Sequence, residues 1–195
     1  METPLNGQFV TLRPLTAADA AMTLRWRLCS RAVNLNRGAQ TEAEQAAWLG
    51  SRPASEYNFA ITLKNGQAVG TVSLLNIDRQ HLRAESGRFL IGEEDAVRGI
   101  PAAVEAMKLL YELAFTELKL LKVYGSVVSD NPLMLKWQKF LGMKEEGRLR
   151  QHYFINGHFQ DAVMLGLLAD EYRRDALPRM NMLIAAGRSR AGKTG

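Results

Sequence analysis

The sequence contains one cysteine, Cys29, in 195 residues. A single thiol excludes an internal disulfide and a zinc site built from several cysteines. The chain also lacks any apolar run near the roughly 20 residues that a membrane-spanning helix requires. Its first residues, METPLNGQF, have neither the basic segment nor the apolar segment of a secretory signal. We therefore expect a cytoplasmic protein that has no membrane partner.

The body of the chain lacks a net charge. The formal charge is +5, but residues 173–195 contain six basic residues against one acid, which accounts for the whole excess. A neutral body argues against a nucleic-acid surface. We expect a single domain over residues 1–172 with a core of its own. A basic, flexible C-terminal tail should follow over 173–195, and weak contacts of this tail with nucleic acid stay open.

Strand and helix patterns follow each other in a regular order, with no internal repeat and no linker. Asn65-Gly66 and Asn156-Gly157 predict tight hairpin turns, and a strand, a helix and a strand between 83 and 128 imply a parallel pair. The fold class is therefore α/β (or α+β) with a mixed sheet. Apolar periodicity predicts strands at 8–12, 57–63, 68–75, 83–92, 121–128, 143–150, 152–155 and 158–165, and helices that begin near 16, 41, 100 and 131.

The stretch from 86 to 105 predicts an anion site. It consists of the end of a strand, an acidic loop, a turn at Arg98-Gly99 and a helix that opens at Ile100-Pro101. The early N–H groups of a helix lack intrahelical partners and attract anions, and the glycine lets a ligand approach the backbone. The pattern suits a phosphate or pyrophosphate group, although an ordinary strand-to-helix turn has the same pattern.

Four motifs in one order carry a family resemblance. They are R-A-E-S-G at 83–87, R-G-I-P-A-A at 98–103, N-P-L-M-L-K-W-Q-K-F-L-G-M at 131–143, and the closing stretch 145–168. Over about residues 8–168 the chain resembles the GNAT superfamily of acetyl-CoA-dependent N-acetyltransferases, in its ribosomal-protein-alanine and amino-sugar branches. Two positions depart from the family pattern. Pro101 replaces a glycine of the pyrophosphate loop, and Gln138 replaces a tyrosine that many members use as the acid.

The resemblance implies a GNAT-type mixed, mostly antiparallel central sheet flanked by helices, with a parallel strand pair that splays apart. It implies acetyl-CoA as co-substrate and no metal, with the pantetheine arm in the gap between these strands. Asn131 is as well explained as a plain helix cap, and Lys136 as a solvated lysine. The cofactor-binding residues that it implies are Phe89, Leu90, Ile91, Arg98, Gly99, Ile100, Ala102, Ala103, Asn131 and Lys136.

Acetyl transfer to an amine calls for a base, a donor for the oxyanion and an acid for the leaving thiolate. Glu85 is the candidate base because it lies on the strand that carries the cofactor; a salt bridge to Arg83 or Arg88 is the structural alternative. Since Gln138 cannot donate a proton to a thiolate, Tyr153 in the last hairpin is the candidate acid. His152 as the acid, or departure of the thiolate unprotonated, is the alternative.

The first two helices, the loop 30–40 and the closing hairpin should form the substrate side. Trp26, Asn34 and His152 are the candidate substrate-binding residues. Arginines and aromatic rings suit a phosphorylated or nucleotide-linked amine, whereas polyamines require acids, which are sparse in these segments. The hypothesis is direct transfer, in a ternary complex, to the primary amine of an amino sugar or nucleotide-linked amino sugar. The alternatives are the N-terminus of a (ribosomal) protein, and a non-catalytic CoA-binding module. A homodimer is left open.

Overall fold

The computed structural model describes residues 3–29, 32–33, 38–53 and 55–191, with side chains described up to residue 187. No helix in these ranges is long and apolar enough to cross a membrane. The strands of this part of the chain are β1 Leu5–Asn6, β2 Val10–Pro14, β3 Tyr57–Leu63, β4 Ala68–Asp78, β5 Arg83–Ile91, β6 Lys122–Val128, β7 Lys144–Ile155 and β8 His158–Leu168. Its helices are α1 Ala20–Leu28, α2 Glu42–Gly50, α3 Ala102–Glu112, α4 Pro132–Phe140, α5 Ala169–Glu171 and α6 Leu177–Ala191.

These strands form one sheet in the order β1-β2-β3-β4-β5-β6-β8-β7. Its neighbouring strands are antiparallel, except that β5 and β6 run parallel. The predicted mixed, mostly antiparallel sheet with one parallel pair is confirmed. The turn between β7 and β8 shows how directly the sequence specifies one connection. Asn156 and Gly157 have φ of 52° and 85°, the left-handed values that a type I′ hairpin turn requires.

The start of α3 and the extent of β7 differ from the sequence prediction. α3 begins at Ala102 rather than at residue 100, because Pro101 has ψ of 39° and lies outside the helical region. The regular part of α3 ends at Glu112, and a single π-helical turn continues to Glu117. The predicted strands 143–150 and 152–155 are one strand, β7, in which an irregular pairing surrounds Gln151, whose φ is 50°.

A β-bulge in β5 opens the sheet. Gly87 pairs with Ser73 and Leu90 with Thr71, so β5 has one more residue than β4 over this span. Arg88 lies in the bulge with φ of 53°, and Thr71 Oγ1 donates a hydrogen bond of 2.8 Å to the Arg88 carbonyl. A bulge bends its strand, and β5 parts from β6 as the resemblance predicted. The pairs that remain between them are Arg83 with Lys122, Ala84 with Val123 and Glu85 with Tyr124.

Apolar side chains cover both faces of the sheet. Successive residues of a strand point to opposite faces, and Leu90 and Ile91 belong to two different apolar clusters. Ile91 joins the large core in which α3 buries residues such as Met107 and Tyr111. Leu90 joins a smaller cluster with Trp26 of α1. The sheet therefore separates a layer with α3 from a layer with α1.

A buried carboxylate ties the first strands to α3. Glu105 is 3% exposed, and its oxygens accept from the backbone N–H groups of Gln8 at 2.7 Å, Phe9 at 2.6 Å and Val10 at 2.8 Å. These bonds compensate for taking the carboxylate out of water. Since Glu105 is in the first turn of α3, the contact fixes the position of that turn and of the loop before it.

The segment after residue 172 differs from the predicted flexible tail. Residues 177–191 form α6, and the side chains of Tyr172, Ala176, Met180 and Ile184 are buried in the large core. These four residues recur at every fourth position, which is the spacing of one helix face. The prediction of a flexible tail is therefore wrong through residue 191, because the basic composition of the segment concealed this apolar face.

α6 also contacts the turn before α3. A Cβ placed on Gly187 would lie 2.5 Å from Cδ and 2.7 Å from Cγ of Pro101. No Cβ is tolerated at such distances, so glycine is what allows the helix to come this close. The proline that departs from the family pattern is thus a packing partner of α6.

Gly187→Ala should therefore destabilise the protein. Where space is available, the same change in a helix stabilises by about 1 kcal/mol. Here the added methyl group displaces α6 or the Pro101 ring, and overpacking of this kind costs about 1–3 kcal/mol. Urea unfolding measures the effect. Ala186→Ser, which adds one atom at an exposed position of the same helix, is the control and should change stability by less than about 0.5 kcal/mol. A more stable Gly187→Ala variant would contradict the contact.

Candidate active site

A cavity of about 440 Å³ occupies the gap between β5 and β6. It extends to the first two helices, where Arg27 of α1 and Trp48 of α2 contribute to its wall. The parting of the strands is thus what creates the cavity. The strand residues along its wall are Ser86, Gly87 and Arg88 of β5 and Ser126, Val127 and Val128 of β6.

Glu85 lines this cavity at the last position where β5 pairs with β6. Its Oε2 accepts a hydrogen bond of 2.8 Å from Asn76 Nδ2. Arg83 and Arg88, the partners in the salt-bridge alternative, form ion pairs with other carboxylates. The structure thus leaves the Glu85 carboxylate facing the cavity and oriented by a neutral amide.

Two hydroxyl groups lie together on the β6 side of the cavity. Tyr153 of β7 and Ser126 of β6 both line it, and their oxygens are 2.5 Å apart, with either able to donate. The candidate acid from the last hairpin is therefore at the cavity wall. Ser126 was missed by the sequence reasoning, because a serine within a strand has no local signature.

Gln138, at the position of the family tyrosine, does not line the cavity. Its side chain is 8% exposed, and its Nε2 lies 3.9 Å from the sulfur of Met134. Beyond the cap residue Asn131, the residue of α4 that lines the cavity is Met134. Among the described residues that line the cavity, Tyr153 is the one with a phenol side chain.

The turn before α3 exposes backbone donors. Gly99 has φ of 83°, and a Cβ placed there would meet no atom within 4 Å, so a ligand has room to approach. Within the described ranges, the N–H groups of Gly99, Ala102 and Ala103 have no protein acceptor. The N–H of Ile100 instead donates to the carbonyl of Val97 at 3.2 Å. Gly99 and Ala103 are therefore available as donors for an anion, whereas Ile100 is not and Ala102 is 0% exposed.

The predicted cofactor side chains differ in their surroundings. Asn131 lines the cavity and also caps α4, since its Oδ1 accepts from the Met134 N–H at 3.1 Å. Arg98 is exposed and pairs with Asp95 at 2.6 Å. Lys136 is exposed on α4. The structure thus assigns the cap to Asn131, whereas the contacts of these three residues with a cofactor stay predictions.

Beyond the bulge, Phe89, Leu90 and Ile91 follow the gap. None of the three pairs with β6, and Leu90 and Ile91 pair with β4 on the other side of the strand. The Phe89 ring stacks on Trp137 of α4 with centroids 6.1 Å apart. None of the three residues lines the cavity, and the pairing of this edge with the pantetheine arm stays a prediction.

The predicted substrate-binding residues do not meet at the cavity. Trp26 is 3% exposed, and its Nε1 donates to Glu93 at 2.8 Å, so it is a core residue and this prediction is wrong. His152 is exposed, packs edge-on against the Tyr153 ring at 4.8 Å and lies in a shallow depression outside the cavity. Asn34 lies outside the described residues.

In place of the predicted substrate-binding residues, the structure has a cluster of arginines at the helical end of the cavity. Arg27 and Arg88 both line it. The guanidinium carbon of Arg88 is 4.8 Å, and that of Arg52 4.4 Å, from the centre of the Trp48 ring, at cation–π distance. Burial, and secondly the charge of Arg88, lowers the pKa of Arg27. These residues are far apart in sequence, so composition alone could not have grouped them.

No group of three or more His, Cys, Asp or Glu side chains within the described ranges could hold a metal ion. The candidate chemistry of the cavity thus involves a carboxylate, two hydroxyls and guanidinium groups.

The chain belongs to the GNAT family. The family profile described as "Acetyltransferase (GNAT) domain" matches residues 10–144. A Bacillus subtilis (strain 168) protein named "Probable N-acetyltransferase YjcK" is 35% identical over 181 residues, which cover 84% of this chain and 96% of that protein. The recognition made from the four motifs is therefore confirmed.

Relatives with named substrates match more partially. The spermidine N(1)-acetyltransferase of Escherichia coli (strain K12) is 32% identical over 118 residues, or 60% of this chain. The chain spans about three fifths of that relative's length, 61%. The crystal structure of the Vibrio cholerae spermidine N-acetyltransferase with CoA and spermine superposes with a TM-score of 0.75 at 24% identity, covering 86% of this chain and 100% of that one. This last likeness shows a shared fold.

Arg98→Ala should weaken the binding of acetyl-CoA. A guanidinium group matches a phosphate well, and a hydrogen bond to a charged group contributes about 1.5–3 kcal/mol, so the dissociation constant should rise roughly tenfold or more. Calorimetry measures it without an acceptor. Arg173→Ala is a matched control, because Arg173 also pairs with an aspartate three residues before it. Equal effects of the two changes would contradict the assignment of the loop.

Proposed function

We propose that this protein transfers the acetyl group of acetyl-CoA to a primary amine by direct attack in a ternary complex. The observation that carries the proposal is the cavity in the strand gap, in which the Glu85 carboxylate and the Ser126–Tyr153 hydroxyl pair both reach the wall. The donors of Gly99 and Ala103 suit the pyrophosphate of the cofactor.

Glu85 is proposed to remove a proton from the acceptor ammonium, directly or through a water molecule. The neutral amine nitrogen then attacks the thioester carbon, and a backbone N–H on the parted edge of β5 would stabilise the oxyanion. As the C–S bond breaks, Tyr153 donates its phenol proton to the thiolate, and the proton that the nitrogen loses on becoming an amide restores the phenol through solvent. Ser126, 2.5 Å away, orients the phenol.

The acceptor is proposed to be the amine of an amino sugar, free or nucleotide-linked. The cavity has the size of a small-molecule site, and its lining includes hydroxyl, amide and carboxylate groups that suit a sugar. Several relatives are named spermidine N-acetyltransferases, and one is named "Putative ribosomal N-acetyltransferase YdaF". A polyamine fits this lining less well, because Glu85 is the one carboxylate among its described residues.

A panel of acceptors tests the proposal. The purified protein is incubated with acetyl-CoA and amino sugars, nucleotide-linked amino sugars, spermidine or short peptides, while free thiol and acetylated product are measured. We expect product from amino sugars in equal amount to the thiol released. Turnover on spermidine or peptides alone would refute the sugar assignment, and CoA binding without any product would favour a non-catalytic module.

Glu85→Gln and Tyr153→Phe should each lower kcat about 100-fold or more, since a general acid or base contributes roughly that factor. The dissociation constant of acetyl-CoA should stay unchanged, because neither side chain is assigned to cofactor binding. Glu146→Gln is the control, as Glu146 forms an exposed ion pair with Lys122 on the same sheet. An unchanged kcat in Glu85→Gln would remove Glu85 from the base role.

A further inference from the structure

A cluster of three arginines lies at the helical end of the cavity. It carries more positive than negative charge. It consists of Arg27 and Arg88, which line the cavity together with Trp48, and of Arg52, whose guanidinium lies over the Trp48 ring as that of Arg88 does. Its carboxylate is Glu56, which lies 2.7 Å from Arg88 Nη1 and 3.9 Å from Arg52 Nη1. Among the described residues of this cluster, three guanidinium charges therefore accompany one carboxylate.

This excess of positive charge destabilises the protein when no ligand is bound. Like charges brought together in a partly buried place destabilise one another, and burial together with the charge of Arg88 lowers the pKa of Arg27. For Glu56, burial acts to raise the pKa, but the hydrogen bonds from Arg88 and Asn58 and the charges of Arg88 and Arg52 outweigh it, so the pKa is lowered. The Glu56 carboxylate is therefore already ionised. It can supply no further negative charge to balance the arginines.

Arg88 is held in place before any ligand arrives. Its backbone has the left-handed φ of 53°, which is unfavourable for an arginine and is retained only where the surroundings enforce it. Its Nη1 donates to Glu56 at 2.7 Å and to Asn58 Oδ1 at 2.6 Å, and Ser73 donates to the same Asn58 oxygen at 2.8 Å. Both protein contacts use Nη1, so Nε and Nη2 have no partner among the described residues.

We propose that Arg27 and Arg88 form a binding site for an anionic oxygen group of the acceptor, a phosphate or a carboxylate. The site lies in the same cavity as Glu85, so the amine and the anionic group would be held at two ends of one ligand. Guanidinium groups bind both kinds of anion through paired N–H donors. The Trp48 ring offers an apolar surface beside the anion. This inference rests on the proposed function, and it excludes polyamines as good acceptors.

Binding of uridine diphosphate to the CoA-saturated protein tests the site without turnover. Saturation with CoA keeps the probe out of the cofactor's own phosphate site. We expect Arg27→Gln to raise the dissociation constant at least tenfold, measured by calorimetry, and Arg27→Lys to raise it less. Arg25→Gln is the control, because Arg25 is exposed on the same helix and pairs with Glu93; it should change the constant less than twofold. Arg88→Lys, checked for folding by thermal unfolding, should weaken binding as well.

Two further probes identify the source of the anion. Glucosamine 6-phosphate carries a phosphate, and muramic acid carries a carboxylate. The probe whose affinity depends on Arg27 identifies which of these two groups the site prefers. If none of the three probes binds, or if Arg27→Gln and Arg88→Lys leave their affinities unchanged, the inference is overturned. Arginine-dependent binding without acetylation of any amino sugar would instead refute the proposed function alone. Equal acetylation of neutral and anionic amino sugars, unaffected by Arg27→Gln, would refute the anion site alone.

Discussion

The bulge at Arg88 is the constraint on which the rest of the site depends. One additional residue in β5 ends its pairing with β6 after Glu85 and opens the gap that the cavity occupies. A residue with left-handed φ costs about 1–3 kcal/mol, and the hydrogen bond from Thr71 to the Arg88 carbonyl together with the ion pair to Glu56 offsets it. The same distortion directs the Arg88 side chain to the helical end of the cavity.

The turn before α3, which is the predicted cofactor loop, is positioned from two sides. Glu105 in the first turn of α3 accepts three backbone hydrogen bonds from residues 8–10, and α6 packs against Pro101 through the space at Gly187. A proline in this loop removes one backbone donor, but its rigid ring provides a surface for the C-terminal helix. The departure from the family pattern is therefore paired with a second feature, the glycine on α6.

In the proposed function, acetyl transfer and acceptor choice depend on different parts of the cavity. The strands supply Glu85 and the Ser126–Tyr153 pair, whereas α1, α2 and the bulge supply the guanidinium groups and Trp48. A shared fold therefore does not fix the acceptor. A relative named for spermidine shares this fold, so the proposed difference in acceptor rests on the residues at the helical end of the cavity and not on the fold.

The sequence by itself determined the features that depend on neighbours a few residues apart. These include the Asn156-Gly157 turn, the Asn131 cap of α4 and the four motifs from which the family was recognised. Only the tertiary structure decided which distant residues meet. Ser126 contacts Tyr153 across 27 positions, Trp26 is a core residue rather than a substrate contact, and the basic C-terminal segment buries Met180 and Ile184. Local hydrogen bonds are encoded by spacing, whereas burial and long-range contacts depend on how the whole sheet bends and packs.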